Sequence, residues 1–352
     1  MPTFLHFVLS FISDKTTFSY CSLFGSQATS GLIVHFWIKI CNYQLQKADQ
    51  KIEGFPVWLK APLDQIVTGS DYLCLLGRSV LGQYLAFIAR IDIDWFKVKL
   101  MPKLEFERFH EEAFVLWQPH VVYGQLSREL ILLMQQSYRE AFPYFKNVQS
   151  GMERGFLRHI AAIVHSCLFD INETNWFVDF FQGLSENQRV SWARDMDFIL
   201  QQSSATQNSL MWHTWMKNYW NNRLEGVPCG LAVQEAEIFF GWAFASGIPF
   251  EEASELIIRS KPTQLELQRI ESKIGKTNIA ERHPLAVLKL LQWLLQGSGW
   301  VPENIDRLIL GLPRKKAYVP ELEKICQRLA LRAYPKSQAL LTSIKEEFIQ
   351  DD

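Results

Sequence analysis

The sequence predicts an all-α fold, an irregular array of helical pairs resembling a degenerate α-solenoid. Three observations carry that reading. Apolar residues recur at three- and four-residue steps along most of the chain, Gly and Pro divide those stretches at short intervals, and no alternating β-branched run is bounded by hairpin turns. Helices of about ten to twenty residues joined by short turns are the expected result. No repeat of fixed period is visible, so the array is an irregular one.

The elements follow in order. Met1 to Ile12 is apolar, but no basic region precedes it and no small-residue cleavage site follows, so a signal peptide is not expected. Residues 16 to 38 carry no charged side chain, yet Thr, Ser, Gln, Gly and His interrupt them too often for a bilayer span. Gly31 to Trp37 is the best strand candidate and equally suits the start of a buried helix. Leu73, Leu76, Val80, Tyr84, Phe87 and Ile91 line one side of a helix. Ser185 can cap the next convincing helix, with Gln188 reaching back to it and Val190, Ala193, Met196 and Ile199 or Leu200 as the inner face. Pro284 suits a first helical turn, and Leu285, Leu288, Leu291, Trp293 and Leu295 follow as a broad apolar surface. The charge pattern becomes richer after about residue 46. The expected division is therefore a ragged N-terminal segment at 1–45, the remnant of a longer or split protein, then a helical scaffold domain at 46–300 and a C-terminal helical extension at 301–352 packed on it.

Composition narrows the function classes. The chain has 352 residues, 48% of them hydrophobic, which is ample for a large core. With 36 basic and 37 acidic residues, a net charge of −1 provides no general attraction to nucleic acid or an anionic membrane. The 12 Trp and 25 Phe recur along the whole chain and read as core filling between helices. Six cysteines stand far apart, which argues against a zinc module or a disulfide framework and for reduced thiols in a cytoplasmic protein.

Motifs that carry chemistry are near misses. His110-Glu-Glu112-Ala-Phe114 begins like a metalloprotease helix, but Phe114 stands where the second His must be. His159 and His165 are six apart and diverge on a helix, so no shared metal is expected. Gly77-Arg-Ser-Val-Leu-Gly82-Gln83 has Gln where a phosphate loop needs Lys, and it lies inside a helical pattern. No nucleophile elbow or dinucleotide fingerprint is present. Glu235 and Glu237 diverge on a helix, and one of them is expected to meet Arg223 in a bidentate pair that fixes a helix crossing. Arg314-Lys315-Lys316 is the one compact basic run.

The run Trp212-His-Thr-Trp215-Met-Lys-Asn-Tyr219-Trp220-Asn-Asn-Arg223, followed by Pro228, Glu235, Trp242 and Phe250-Glu-Glu-Ala-Ser-Glu-Leu-Ile, resembles an uncharacterised bacterial α-helical domain of unknown function. Gly77-Arg78, Phe87, Asp94-Trp95, Leu100-Met-Pro and Leu116-Trp117-Gln resemble the earlier half of that domain, which extends the resemblance over about residues 70 to 295. The domain is often found C-terminal to a sirtuin-like, NAD-consuming domain in large proteins linked to antiphage defence. The resemblance implies the sensing, scaffolding or assembly part of such a system, because no Gly-rich nucleotide fold or sirtuin-type catalytic His is recognisable here. The resulting expectation is a cytoplasmic, non-enzymatic scaffold or sensor with no cofactor, metal or membrane. It would bind a protein such as a sirtuin-like effector or a phage component. Trp212, Trp215, Tyr219, Trp220, Arg223, Pro228, Glu235 and Trp242 are expected to be structural. Two alternatives stand beside it: a nucleic-acid-contacting module using Arg314, Lys315 and Lys316, and an unrecognised hydrolase using the dispersed His159, His165 and Glu235.

Overall fold

Caps and breakers set the helix ends in the computed structural model, which describes residues 29–47, 54–145, 150–168, 176–262, 273–275, 277–296, 301, 305–313 and 315–349. The fold is all-α, with no strand among the described residues. Residues 1–164 and 165–352 form two compact units.

The first unit holds α1 (Thr29–Lys47), α2 (Val57–Thr68), α3 (Tyr72–Gln83), α4 (Leu85–Ile91), a turn at Ile93–Trp95 that runs into a π segment (Phe96–Leu100), α5 (Phe106–Tyr123), α6 (Arg128–Leu133), α7 (Gln135–Phe145) and α8 (Ser150–His165). Gly31 to Trp37, the strand candidate, lies within α1. Helix α3 is the centre and packs against α1, α2 and α5. Asp71 caps it by accepting from the Cys74 N–H at 2.8 Å. Two glycines let its neighbours approach closely. A Cβ at Gly82 would collide with the Leu116 carbonyl of α5, and one at Gly77 would lie 2.8 Å from Ile66 Cγ2 of α2. The segment resembling a phosphate loop is therefore a packing surface. Arg78, between those glycines and almost fully buried, donates to the Val67 carbonyl at 3.0 Å and to Glu112 Oε2 at 3.2 Å. Glu112, part of the near-miss metalloprotease motif, thus ties α5 to α3.

One expected helix divides. Residues 73 to 91 share a single apolar periodicity, yet the chain bends by 81° between α3 and α4. Tyr84 leaves the helical region at φ −110°, ψ 16°, and its hydroxyl meets His35 Nδ1 of α1 at 2.6 Å. The break thus coincides with a tertiary contact that the apolar periodicity does not encode. No single helix among the described residues is long and apolar enough to cross a membrane.

The second unit holds α9 (Trp176–Gly183), α10 (Glu186–Gln202), α11 (Ala205–Met211), a π segment (Trp212–Met216), α12 (Lys217–Leu224), α13 (Val233–Trp242), α14 (Phe250–Ser260), a turn at Ile279–Arg282, α15 (Pro284–Leu294), α16 (Ile305–Leu310), a 3₁₀ turn (Lys316–Tyr318), α17 (Val319–Leu331) and α18 (Ser337–Ile349). Helices near in sequence pack together: α10 on α13, α12 on α14, α14 on α15, α15 on α17 and α17 on α18. The Ser185 capping box forms as expected, with Ser185 N–H donating to Gln188 Oε1 at 2.7 Å. Val190, Ala193, Met196 and Leu200 are buried behind it, while Ile199 is only half-buried. Pro284 opens α15, but Leu285 faces out at 48% exposure.

A polar network runs through the core of the first unit. Tyr138 Oη lies 2.8 Å from both His120 Nε2 and His159 Nδ1. His159 also hydrogen-bonds the Gly124 backbone, which makes Nδ1 its acceptor. Tyr138 therefore donates to His159 and accepts from His120. Burial holds both imidazoles neutral, pushing His159 down to about 3 and His120 well below its ordinary value, with each further opposed by nearby positive or imidazole groups. A folded-state pKa below the unfolded one stabilises the fold above about pH 6.5, and that stability is lost as pH falls. We expect urea unfolding between pH 6.5 and 5 to show these two groups contributing a loss of up to about 2.7 kcal/mol per pH unit. A flat profile over that window would contradict the neutral buried pair.

Candidate functional site

The aromatic run at Trp212 to Arg223 is built into the second unit by hydrogen bonds with a common offset. Trp212 Nε1 donates to Glu252 Oε2 and Trp220 Nε1 to Ser260 Oγ, both at 2.9 Å. Donors eight residues apart thus meet acceptors eight apart in the same order, so α11–α12 and α14 run parallel. Asn208 Nδ2 to the Ser246 carbonyl and Arg259 Nη1 to Asn221 Oδ1 run in the same order, at a separation of 38 residues instead of 40. Trp242 closes the arrangement from α13 by donating to the Ala193 carbonyl of α10 at 3.1 Å. Trp212, Trp215, Tyr219, Trp220 and Trp242 are all buried. Their rings pack mainly edge-to-face, as in Trp212 on Trp220 and Trp192 on Trp242, with Phe239 stacked on Trp242 at 3.9 Å.

At one end of this core sits a carboxylate with no exposed surface. Glu235 Oε2 accepts from Arg223 Nη2 at 2.7 Å, from the Ala232 N–H at 3.2 Å and from Arg189 Nε at 3.3 Å. Arg223 is equally buried and uses its whole guanidinium: Nη1 donates to Tyr219 Oη at 2.8 Å, Nε to the Cys229 carbonyl and Nη2 to Gly230. Burial raises the pKa of the Tyr219 hydroxyl, keeping it protonated. Gly226 makes the turn feasible, since its φ of +86° is a left-handed conformation that suits glycine. The Val227 N–H donates to the Asn222 carbonyl there, and Pro228 follows a cis bond. The expected meeting of Arg223 with Glu235 occurs, but not as a bidentate pair. Only Oε2 is engaged, and Oε1 is buried without a partner among the described residues. Glu237 lies apart, half-buried.

Residues 162–301 are similar to a family described as a domain of unknown function, DUF4020. No curated protein and no solved structure matches the chain. The matched range contains the whole Trp212–Trp242 cluster and the Glu235 centre, but not residues 70 to 161, over which the resemblance was expected to extend.

The remaining candidates scatter. His110 lies on the surface among Phe106, Phe114 and Tyr144. His159 belongs to the buried Tyr138 network of the first unit. His165, the last residue of α8, already falls in the second unit; it is half-buried and its carbonyl accepts from Gln207 Nε2. No group of His, Cys, Asp and Glu side chains suited to a metal ion occurs among the described residues. Lys315 and Lys316 are exposed, and Arg314 lies outside the described residues. Arg189 escaped sequence reading because it reaches Glu235 only through the packing of α10 on α13, and no spacing rule links positions so far apart.

Breaking the buried pair should cost more than removing it whole. Arg223→Met or Glu235→Gln alone should destabilise by about 3–5 kcal/mol, because each leaves a buried charge without its partner. The double variant should fall well short of the sum, a coupling read from a thermal-unfolding cycle. Trp220→Ala should cost a similar 3–5 kcal/mol by leaving a cavity.

Proposed function

We propose that this chain is a non-catalytic helical scaffold or sensor region of a bacterial defence-type system that binds another protein, a sirtuin-like effector or a phage component. The resemblance of the Trp212–Trp242 cluster to sirtuin-associated domains supports the setting. The observation that carries protein binding is an outward apolar stripe on α1. Gly31, Val34, Ile38 and Cys41 face the core, while Leu32, Phe36 and Tyr43 stand on the opposite side at 53%, 59% and 56% exposure. Val57, Trp58 and Tyr72 on the two neighbouring helices are also well exposed. Large apolar side chains aligned on the outer face of a helix suit contact with another protein.

The test is affinity purification of the full chain from its native cells beside a Leu32→Asp/Phe36→Asp variant. A partner that is retained by the wild type and lost by the variant, with the melting temperature unchanged, supports the reading. A partner held equally by both would move the interface elsewhere, and repeated purification of the chain alone would remove the scaffold reading.

A further inference from the structure

A pocket opens in the first unit where α1, α2 and α3 meet. Its walls are Ile33 and Trp37 of α1, Ile66 of α2 and Leu73 of α3, all half-buried. The pocket volume is about 50 Å³, well below that of drug-sized sites, so it suits a short aliphatic chain. Apolar walls with a few polar groups are the composition of ligand sites.

Two polar groups on this lining are left over by the fold. Ser30 Oγ is buried and has no hydrogen-bond partner. Burying a hydroxyl without a partner is unfavourable, and most such groups are paired. Asp71 is the second. Its Oδ1 accepts from the Cys74 N–H at 2.8 Å and its Oδ2 from the Cys74 thiol at 3.3 Å. Partial burial opposes its charge, but hydrogen bonds from the start of α3 outweigh that and hold its pKa below the ordinary carboxylate value. Asp71 is therefore an anion at neutral pH, and no cation pairs with it among the described residues. A fixed negative charge, an unused hydroxyl and an indole around an apolar pocket complement a cation on a short apolar stem.

We infer that this pocket binds a small primary aliphatic amine in its ammonium form. The ammonium meets the Asp71 carboxylate and donates to the Ser30 hydroxyl, while the chain lies against Trp37, Ile33 and Ile66. Asp71 would repel a carboxylate ligand, and a purely apolar one would desolvate Asp71 and leave Ser30 unpaired. This inference does not rest on the protein contact proposed for the outer side of α1.

The test is an NMR titration of the full chain at fixed ionic strength, following the Trp37 indole signal, with n-butylamine, n-butanol, butyrate and ammonium chloride. n-Butylamine should bind saturably and n-butanol more weakly, while butyrate and ammonium should not bind. Asp71→Asn keeps a side chain able to cap α3, so it should hold the melting temperature and weaken n-butylamine about tenfold, to the level of n-butanol. Ser30→Ala should weaken the amine severalfold, and Ile33→Trp should fill the pocket and abolish binding. Absence of saturable binding, or unchanged affinity in the Ile33 variant, would overturn the site. n-Butanol binding as tightly as the amine, or an Asp71→Asn variant that keeps full affinity, would overturn the ammonium assignment. Nα-acetyl-lysine methylamide binding more tightly than n-butylamine would overturn the free amine as ligand and give the pocket to a lysine side chain of a partner protein.

Discussion

Glu235 carries a negative charge where no water reaches it, and much of the second unit is arranged to keep that charge paired. Taking a carboxylate and a guanidinium out of water costs several kcal/mol per ion, and attraction offsets this only when the geometry and additional hydrogen bonds are good. Arg223 meets that demand with donors on both sides: Tyr219 within its own helix, and the Cys229 and Gly230 carbonyls in the following turn. Arg189 reaches the same carboxylate oxygen from α10. Three helices and a loop therefore converge on one atom, and a shift in any of them leaves a charge unpaired.

The aromatic core works with this centre by a different mechanism. Indoles bring large apolar area and one polar N–H each, and that N–H usually finds an acceptor when the ring is buried, although those of Trp192 and Trp215 have none among the described residues. Trp212, Trp220 and Trp242 do so at Glu252, Ser260 and the Ala193 carbonyl, which turns nonspecific burial into a defined register. The π segment at Trp212–Met216 lies within the same run, where one widened turn changes the face on which later side chains emerge. The first unit uses a neutral version of the same device. His120, Tyr138 and His159 are hydrogen-bonded in series, with His120 Nδ1 left without a partner among the described residues, at the expense of sensitivity to acid.

Surface and core divide the labour. Side chains of the Trp212–Trp242 cluster are committed to packing, so the proposed protein contact falls elsewhere, on the apolar outer side of α1. That surface does not draw on the Glu235 centre. Variants on it can therefore separate the proposed contact from folding.

Local chemistry was enough to predict the helical class, the Ser185 cap, the Pro284 start and the meeting of Arg223 with Glu235, because each depends on residues a few positions apart or on one turn. The periodicity from Leu73 to Ile91 could not reveal the bend at Tyr84, where the side chain meets His35 of another helix. Nor could spacing place Arg189 beside Glu235 or link Tyr138 to two histidines. Hydrophobic period and capping act along the chain and survive in a linear reading. Buried charge pairing, shared hydrogen bonds and concave surfaces arise between elements distant in sequence, so only the packed chain decides them.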